Sequence, residues 1–211
     1  MRAIFSLLLF LYLPLQAQPV FALRFSDAEL QRIERQQGSD VRRRIDDFLA
    51  HIVHFKTLTK ERQIIEVNTF INGYLPEFDS VINREEDRWS TPKEFLKVGY
   101  GDCEEYAIAK YYTLIELGFR EEDLCLTVVK DLYSGGYHMV LCYFPGEGRS
   151  PLVLDNLSFR VLQLSQRSDL QVQYCMNAKG LFSVMPGGSR NKLNARDAKF
   201  DDLIKRIDAG R

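Results

Sequence analysis

At Gly118 the hydrophobic period of this 211-residue chain changes from helical to alternating, and no other feature narrows its architecture as much. Upstream, apolar residues recur every three to four positions; downstream they alternate, as a strand with one face in a core requires. Helices first and strands second is the pattern of an α+β domain. "SDAELQRIERQQ" opens with a Ser26/Glu29 capping box and ends before Gly38. "SDVRRRIDDFLAHIVHF" spaces Val41, Ile45, Phe48, Leu49, Ile52 and Val53 helically, and "TKERQIIEVNTFINGYL" does the same through Ile64, Val67, Phe70, Ile71 and Tyr74. "DSVINREEDRWS" reads as a loop. A short helix then starts at Thr91-Pro92-Lys93-Glu94, with Thr91 as cap and Pro92 in the first helical position.

The best-defined helix is "GDCEEYAIAKYYTLIELG", residues 101–118. Asp102 is its N-cap, Glu105 stands three residues on, and Gly118 suits the left-handed position past the C-terminus. Tyr106, Ala107, Leu114 and Ile115 supply a buried stripe. Beyond it, "LCLTVVK", "YHMVLCYF" and "LVLDN" read as three strands joined by "DLYSGG" and "PGEGRSP", an antiparallel meander. "FRVLQL", "LQVQYCM" and "LFSVM" are weaker strands, and "NARDAKFDDLIKRIDAG" reads as a solvent-facing amphipathic helix. No repeat or linker divides the chain, so residues 23–211 are expected to form one domain.

Residues 1–22 stand apart. "MRAIFSLLLFLYLPLQAQPVFA" has one Arg, an apolar run from Ala3 to Leu13, and Val20 and Ala22 at the positions signal peptidase reads. The run is too short for a spanning helix, which needs about 20 apolar residues. A signal peptide cleaved after Ala22, and an exported chain that does not span the membrane, are therefore expected. Lys and Arg (28) nearly balance Asp and Glu (29), so no basic footprint suggests nucleic acid.

Export makes the four cysteines informative. Cys103, Cys125, Cys142 and Cys175 are too scattered for a stapled scaffold, and no CxxC pair suggests zinc. If Lys130 pairs with Tyr137, Cys125 faces Cys142 across the hairpin; a disulfide there and two buried free thiols both fit the pattern.

Cys103, His138 and Asp155 follow one another on a helix start and two successive strands. A helix N-terminus favours a thiolate, a neutral His can take the thiol proton and return it to a leaving amine, and a carboxylate on the adjacent strand can fix the imidazole tautomer. Each also has an inert reading: a small buried Cys, a core His beside Val140 and Cys142, an Asp starting a turn with Asn156. Asn156 can orient His138 or cap that turn. Against the nucleophile stand Asp102, Glu104 and Glu105, three carboxylates that oppose a neighbouring thiolate. Either the cysteine is inert or something positive joins the group.

These blocks resemble the bacterial transglutaminase-like cysteine proteinases, which include the LapG-type periplasmic adhesin proteases. "GDCEEYAIAKYYTLIELG", "YHMVLCYF", "LVLDN" and the upstream "WSTPKEF" carry the likeness, from about Val67 to Asn156. It implies a papain- or transglutaminase-like fold, with the nucleophile helix packed on an antiparallel sheet, and a Cys103–His138–Asp155 triad. It also implies calcium bound beside the nucleophile, with Asp102, Glu104 and Glu105 as ligands; the family often has Asp where this chain has Glu105. On helix geometry the three carboxylates occupy an arc pointing away from Cys103, and gathered oxygens suit a hard cation. Asp102 and Glu105 as a capping pair, with Glu104 solvated, fits as well without metal. The resemblance further implies a protein substrate, the N-terminal region of a large surface adhesin, and a partner, the periplasmic domain of an inner-membrane cyclic di-GMP receptor. A protein-glutamine acyl transferase uses the same triad, and a non-catalytic binding module can keep the scaffold; fold alone separates neither.

Overall fold

A computed structural model describes residues 21–76, 88–146, 148–185 and 187–210. The expected signal peptide lies outside the described residues except for Phe21 and Ala22. Ala22 and Leu23 form part of a short 3-10 turn and are buried against the main core. The "DSVINREEDRWS" loop lies mostly outside the described residues as well.

The first half is helical as expected: α1 (Asp27–Gln37), α2 (Ser39–Phe55) and α3 (Lys60–Ile71). Then come a two-residue strand β1 (Leu75–Pro76), α4 (Pro92–Val98), its parallel partner β2 (Tyr100–Gly101) and α5 (Cys103–Glu116). Ser26 caps α1 by accepting from the Glu29 N–H, while the Glu29 carboxylate pairs with buried Lys93 of α4. Thr91, Pro92 and Glu94 form the full capping box expected for α4. Among the described residues no helix is long and apolar enough to cross a membrane.

Seven strands make one antiparallel sheet: β3 (Leu124–Asp131), β4 (Tyr137–Tyr143), β5 (Leu152–Asp155), β6 (Ser158–Gln163), β7 (Leu170–Asn177), β8 (Gly180–Val184) and β9 (Arg190–Lys192). Their order is β6-β5-β4-β3-β7-β8-β9. The meander runs from β3 to β6, and the chain then crosses to the far side of β3 to start β7. The Lys130–Tyr137 register is as expected, and Cys125 does face Cys142. Neither alternative, a disulfide there or two free thiols, is what forms. Cys125 bonds Cys175 instead, and Cys142 is a buried free thiol. The reason is topological: β7 lies on the other side of β3, and a strand's neighbours across a crossover are not written in its own pattern.

Helix α5 departs from a simple amphipathic stripe. Glu105 through Leu114 are all buried, because α5 is held between α3 and α4 on one side and β3, β4 and β5 on the other. A helix covered on both sides is part of the core itself, and α5 takes Glu105, Lys110 and Thr113 into it along with the apolar residues. The opposite face of the sheet has a second core of Val129, Val140, Val153, Phe144 and the disulfide. The C-terminal helix α6 (Ala198–Asp208) forms where expected but is not solvent-facing all round. Phe200, Leu203 and Ile207 are buried.

The Cys125–Cys175 bridge closes a separation of 50 residues. For a loop of that length the chain-entropy value is about 4 kcal/mol. Cys175→Ser is expected to lower the urea midpoint and to raise the m-value, because the unbridged chain unfolds to a less compact state. An unchanged midpoint would show that the bridge contributes nothing.

Candidate active site

The site begins with Gly101. A Cβ there would lie 2.7 Å from the Glu105 Cβ, so only glycine lets the chain turn into α5 with Glu105 folded back beneath it. Asp102 caps the helix, its Oδ1 accepting from the Glu104 N–H at 3.2 Å; Glu105 Oε2 accepts from the Asp102 N–H at 3.2 Å. The remaining Glu105 oxygen accepts from the Ser90 N–H at 2.8 Å. Arg206 of α6 grips the same segment through the Trp89 carbonyl at 2.6 Å and Glu94 at 3.0 Å. Trp89 is thereby fixed as a cleft wall.

Cys103 occupies the first turn of α5. Its thiol donates to Glu104 Oε2 at 3.0 Å and accepts from the Met139 N–H of β4 at 3.4 Å. The expected arc of carboxylates pointing away from the cysteine is therefore corrected at Glu104, whose flexible side chain bends back to the sulfur. Burial pushes the thiol well above its ordinary pKa, and the charge and hydrogen bond of Glu104 and the charge of Asp102 push the same way. The Met139 N–H opposes them.

His138 is the second residue of β4, and its Nε2 lies 2.8 Å from Asp155 Oδ1 at the end of β5. The inert reading, a histidine bonded to a backbone carbonyl, is not what forms. With Nε2 committed to Asp155, Nδ1 is the ring nitrogen left for the cleft. Asp155 is fully buried, and its Oδ1 also accepts from the Leu157 N–H at 2.9 Å. Asn156 is not the partner of the ring. Burial by itself would raise the Asp155 pKa, but the hydrogen bond and charge of His138, the Leu157 N–H and Arg167 outweigh it and hold the carboxyl well below its usual range.

Two cations near Asp155 have no signal in the sequence. Arg167 Nη2 donates to Asp155 Oδ2 at 2.8 Å; it lies in the crossover between β6 and β7, where nothing local marks it. Lys110 of α5 is fully buried, and its Nζ has no hydrogen-bond partner among the described residues. Burial pushes Lys110 down to about 7, with the charge of Asp155 opposing.

Cys103, Glu104 and His138 open onto one cavity of about 480 Å³ walled by Trp89, Tyr174 and Lys199. A helix-borne thiol, a histidine and a carboxylate thus meet at one end of the sheet. Among the described residues no group of three or more His, Cys, Asp or Glu converges as a metal cage.

The family model of the bacterial transglutaminase-like cysteine proteinases matches residues 49–177, more than half of the chain, a span that holds Cys103, His138, Asp155 and Arg167. This chain belongs to that family. Among solved structures, the calcium-bound LapG of Legionella pneumophila is 32% identical, with a TM-score of 0.74 over 87% of this chain and 99% of that one. The EGTA-treated LapG has the same identity and TM-score, covering 98% of its own chain, and a further LapG structure is 33% identical with a TM-score of 0.72. Among curated protein sequences none matches significantly. The transglutaminase-like fold is shared with LapG, and membership of a cysteine proteinase family implies a protein substrate.

Proposed function

We propose that this family member is an exported, calcium-dependent endopeptidase with a Cys103–His138–Asp155 triad. The observation that carries the reading is the 2.8 Å His138–Asp155 contact beside a cysteine at a helix head. Cys103 gives its proton to His138 Nδ1 and attacks the scissile carbonyl; the tetrahedral oxyanion meets the Cys103 backbone N–H, since the N–H groups of Asp102, Glu104 and Glu105 are taken by the capping box. His138 passes the proton to the leaving amine and then activates water against the thioester, while Asp155 holds the Nε2–H tautomer. Periplasmic location follows from a signal peptide ending at Ala22.

The donor set at the helix head suits calcium. Asp102 and Glu104 offer hard carboxylate oxygens, whereas both Glu105 oxygens already accept backbone N–H groups, so Glu105 has less to give than the other two. Calcium held there supplies positive charge beside the sulfur. LapG in calcium-bound and EGTA-treated forms supports the assignment. By the same likeness the substrate is the N-terminal region of a large surface adhesin, whose cleavage releases biofilm cells. The periplasmic domain of a cyclic di-GMP receptor is then the partner that holds the enzyme back.

The test is intact-mass spectrometry of an adhesin N-terminal fragment incubated with residues 23–211, with calcium or with EGTA. Two complementary fragments in calcium and none in EGTA are expected. Cleavage that survives EGTA removes the calcium assignment and leaves the triad. A heavier product with loss of ammonia would make the chain an acyl transferase.

A further inference from the structure

Asp155 is held through both oxygens, and the second partner is a cation that the scheme above leaves without a task. Arg167 sits in the crossover 164–169. This segment leaves β6 at Gln163, level with Leu152, and enters β7 at Leu170, level with Asp131 at the other end of the sheet. Leu164 at its start packs on the outer core beside Val140 and Val153. In its middle, the Arg167 side chain is only 10% exposed. Nη2 donates to Asp155 Oδ2 at 2.8 Å. Nε and Nη2 together grip the Asp169 carboxylate, Nε to Oδ1 at 3.0 Å and Nη2 to Oδ2 at 2.7 Å. Four side chains thus form one chain of contacts: Asp169, Arg167, Asp155, His138.

Stability is a poor reason to bury such a cation, because desolvation consumes most of what a buried ion pair returns. Geometry is a better one. A carboxylate anchored at one oxygen can swing about Cβ–Cγ; anchored at both, its plane is set. The other groups facing Asp155 do not do this. His138 and the Leu157 N–H both meet Oδ1. Lys110 from α5 contributes charge without a hydrogen bond, and the Cys142 thiol on β4 is close enough only to feel the carboxylate's charge.

We propose that Arg167, braced by Asp169, is a positioning residue that sets the plane of Asp155 so that Oδ1 meets the His138 Nε2–H and keeps Nδ1 toward the thiol. The proposal rests on the triad reading above. It gives the crossover a task in the site, since the same segment that delivers β7 to β3 also orients the acid.

The test uses the full mature chain with Arg167→Met, Arg167→Lys and Asp169→Asn. Three quantities are read: kcat and KM on the adhesin fragment, the melting temperature, and the His138 imidazole in proton–nitrogen NMR. Arg167→Met is expected to lower kcat by about 10- to 100-fold with KM within about twofold, as a misplaced reacting group does. The downfield His138 Nε2–H signal should broaden or vanish. Arg167→Lys should recover part of kcat, since an ammonium keeps the charge but lacks the rigid planar fork that holds both carboxylates in one geometry. A wild-type kcat and an unmoved His138 signal in Arg167→Met would overturn the proposal. If that variant does not fold, Asp169→Asn decides: a several-fold loss of kcat supports the brace, and no change removes it. Should the wild type cleave nothing, the protease reading fails on that arm, while the His138 signal still reports whether Arg167 orients Asp155.

Discussion

Cys103→Ser is expected to lower kcat/KM for adhesin cleavage by about 10⁴-fold or more, the scale of losing a nucleophile from a coupled triad. A serine hydroxyl is far less acidic than a thiol and has no thiolate character for the helix head to favour. Little else changes. Oxygen is smaller than sulfur, the capping box of Asp102 and Glu105 does not involve the side chain at 103, and the Met139 N–H keeps an acceptor. The melting temperature should move by no more than about 2 °C, because no buried apolar group is lost. Intact-mass spectrometry reads the activity and calorimetry the stability. Residual cleavage near the wild-type rate would place the nucleophile elsewhere. Cys142, the other free thiol among the described residues, is buried in the core on the outer face of the sheet and is no substitute.

Asp155→Asn is expected to reduce kcat by about 10²- to 10⁴-fold, since the amide can neither balance an imidazolium nor enforce the Nε2–H tautomer. It also leaves Arg167 buried without its second counter-charge, so stability falls as well. The two effects separate by pH. The folded Asp155 has its pKa below the unfolded value of about 3.9, so its ionised form stabilises the fold fully above that pH, and the contribution is lost as pH falls through the depressed folded value. The melting-temperature gap between wild type and Asp155→Asn should therefore be constant near neutrality, begin to narrow below about pH 4 and close only once pH passes the depressed folded value. A gap that persists unchanged to about pH 2 would mean that the carboxylate is not ionised and paired as the structure has it.

Much of this was legible from residues a few positions apart. Thr91, Pro92 and Glu94 announce a helix start because capping is local, and they form the box they spell. Asp102, Cys103 and Glu105 place a thiol in a first helical turn for the same reason. The register of Lys130 with Tyr137 follows from a short turn between alternating runs, which leaves little choice of pairing. Alternation even puts His138 and Asp155 at one end of neighbouring strands.

Other features have no local cause. Glu104 bends to the thiol instead of away from it, because a long side chain answers to what packs around the helix rather than to helix geometry alone. The partner of Cys125 depends on where β7 docks, six residues of crossover after β6. The apolar face of α6 is visible in sequence, but what covers it is not.

By itself, then, the sequence determined the helices-then-sheet order, the helix head that bears Cys103, and the hairpin that brings His138 into line with Asp155. These depend on propensity, capping and period, which act over a turn of helix or one strand pair. The tertiary structure alone decided the Cys125–Cys175 bridge, the burial of Lys110 and the Arg167–Asp169 grip on Asp155. Those contacts join residues through a crossover or across a packed layer, where position is set by the whole core.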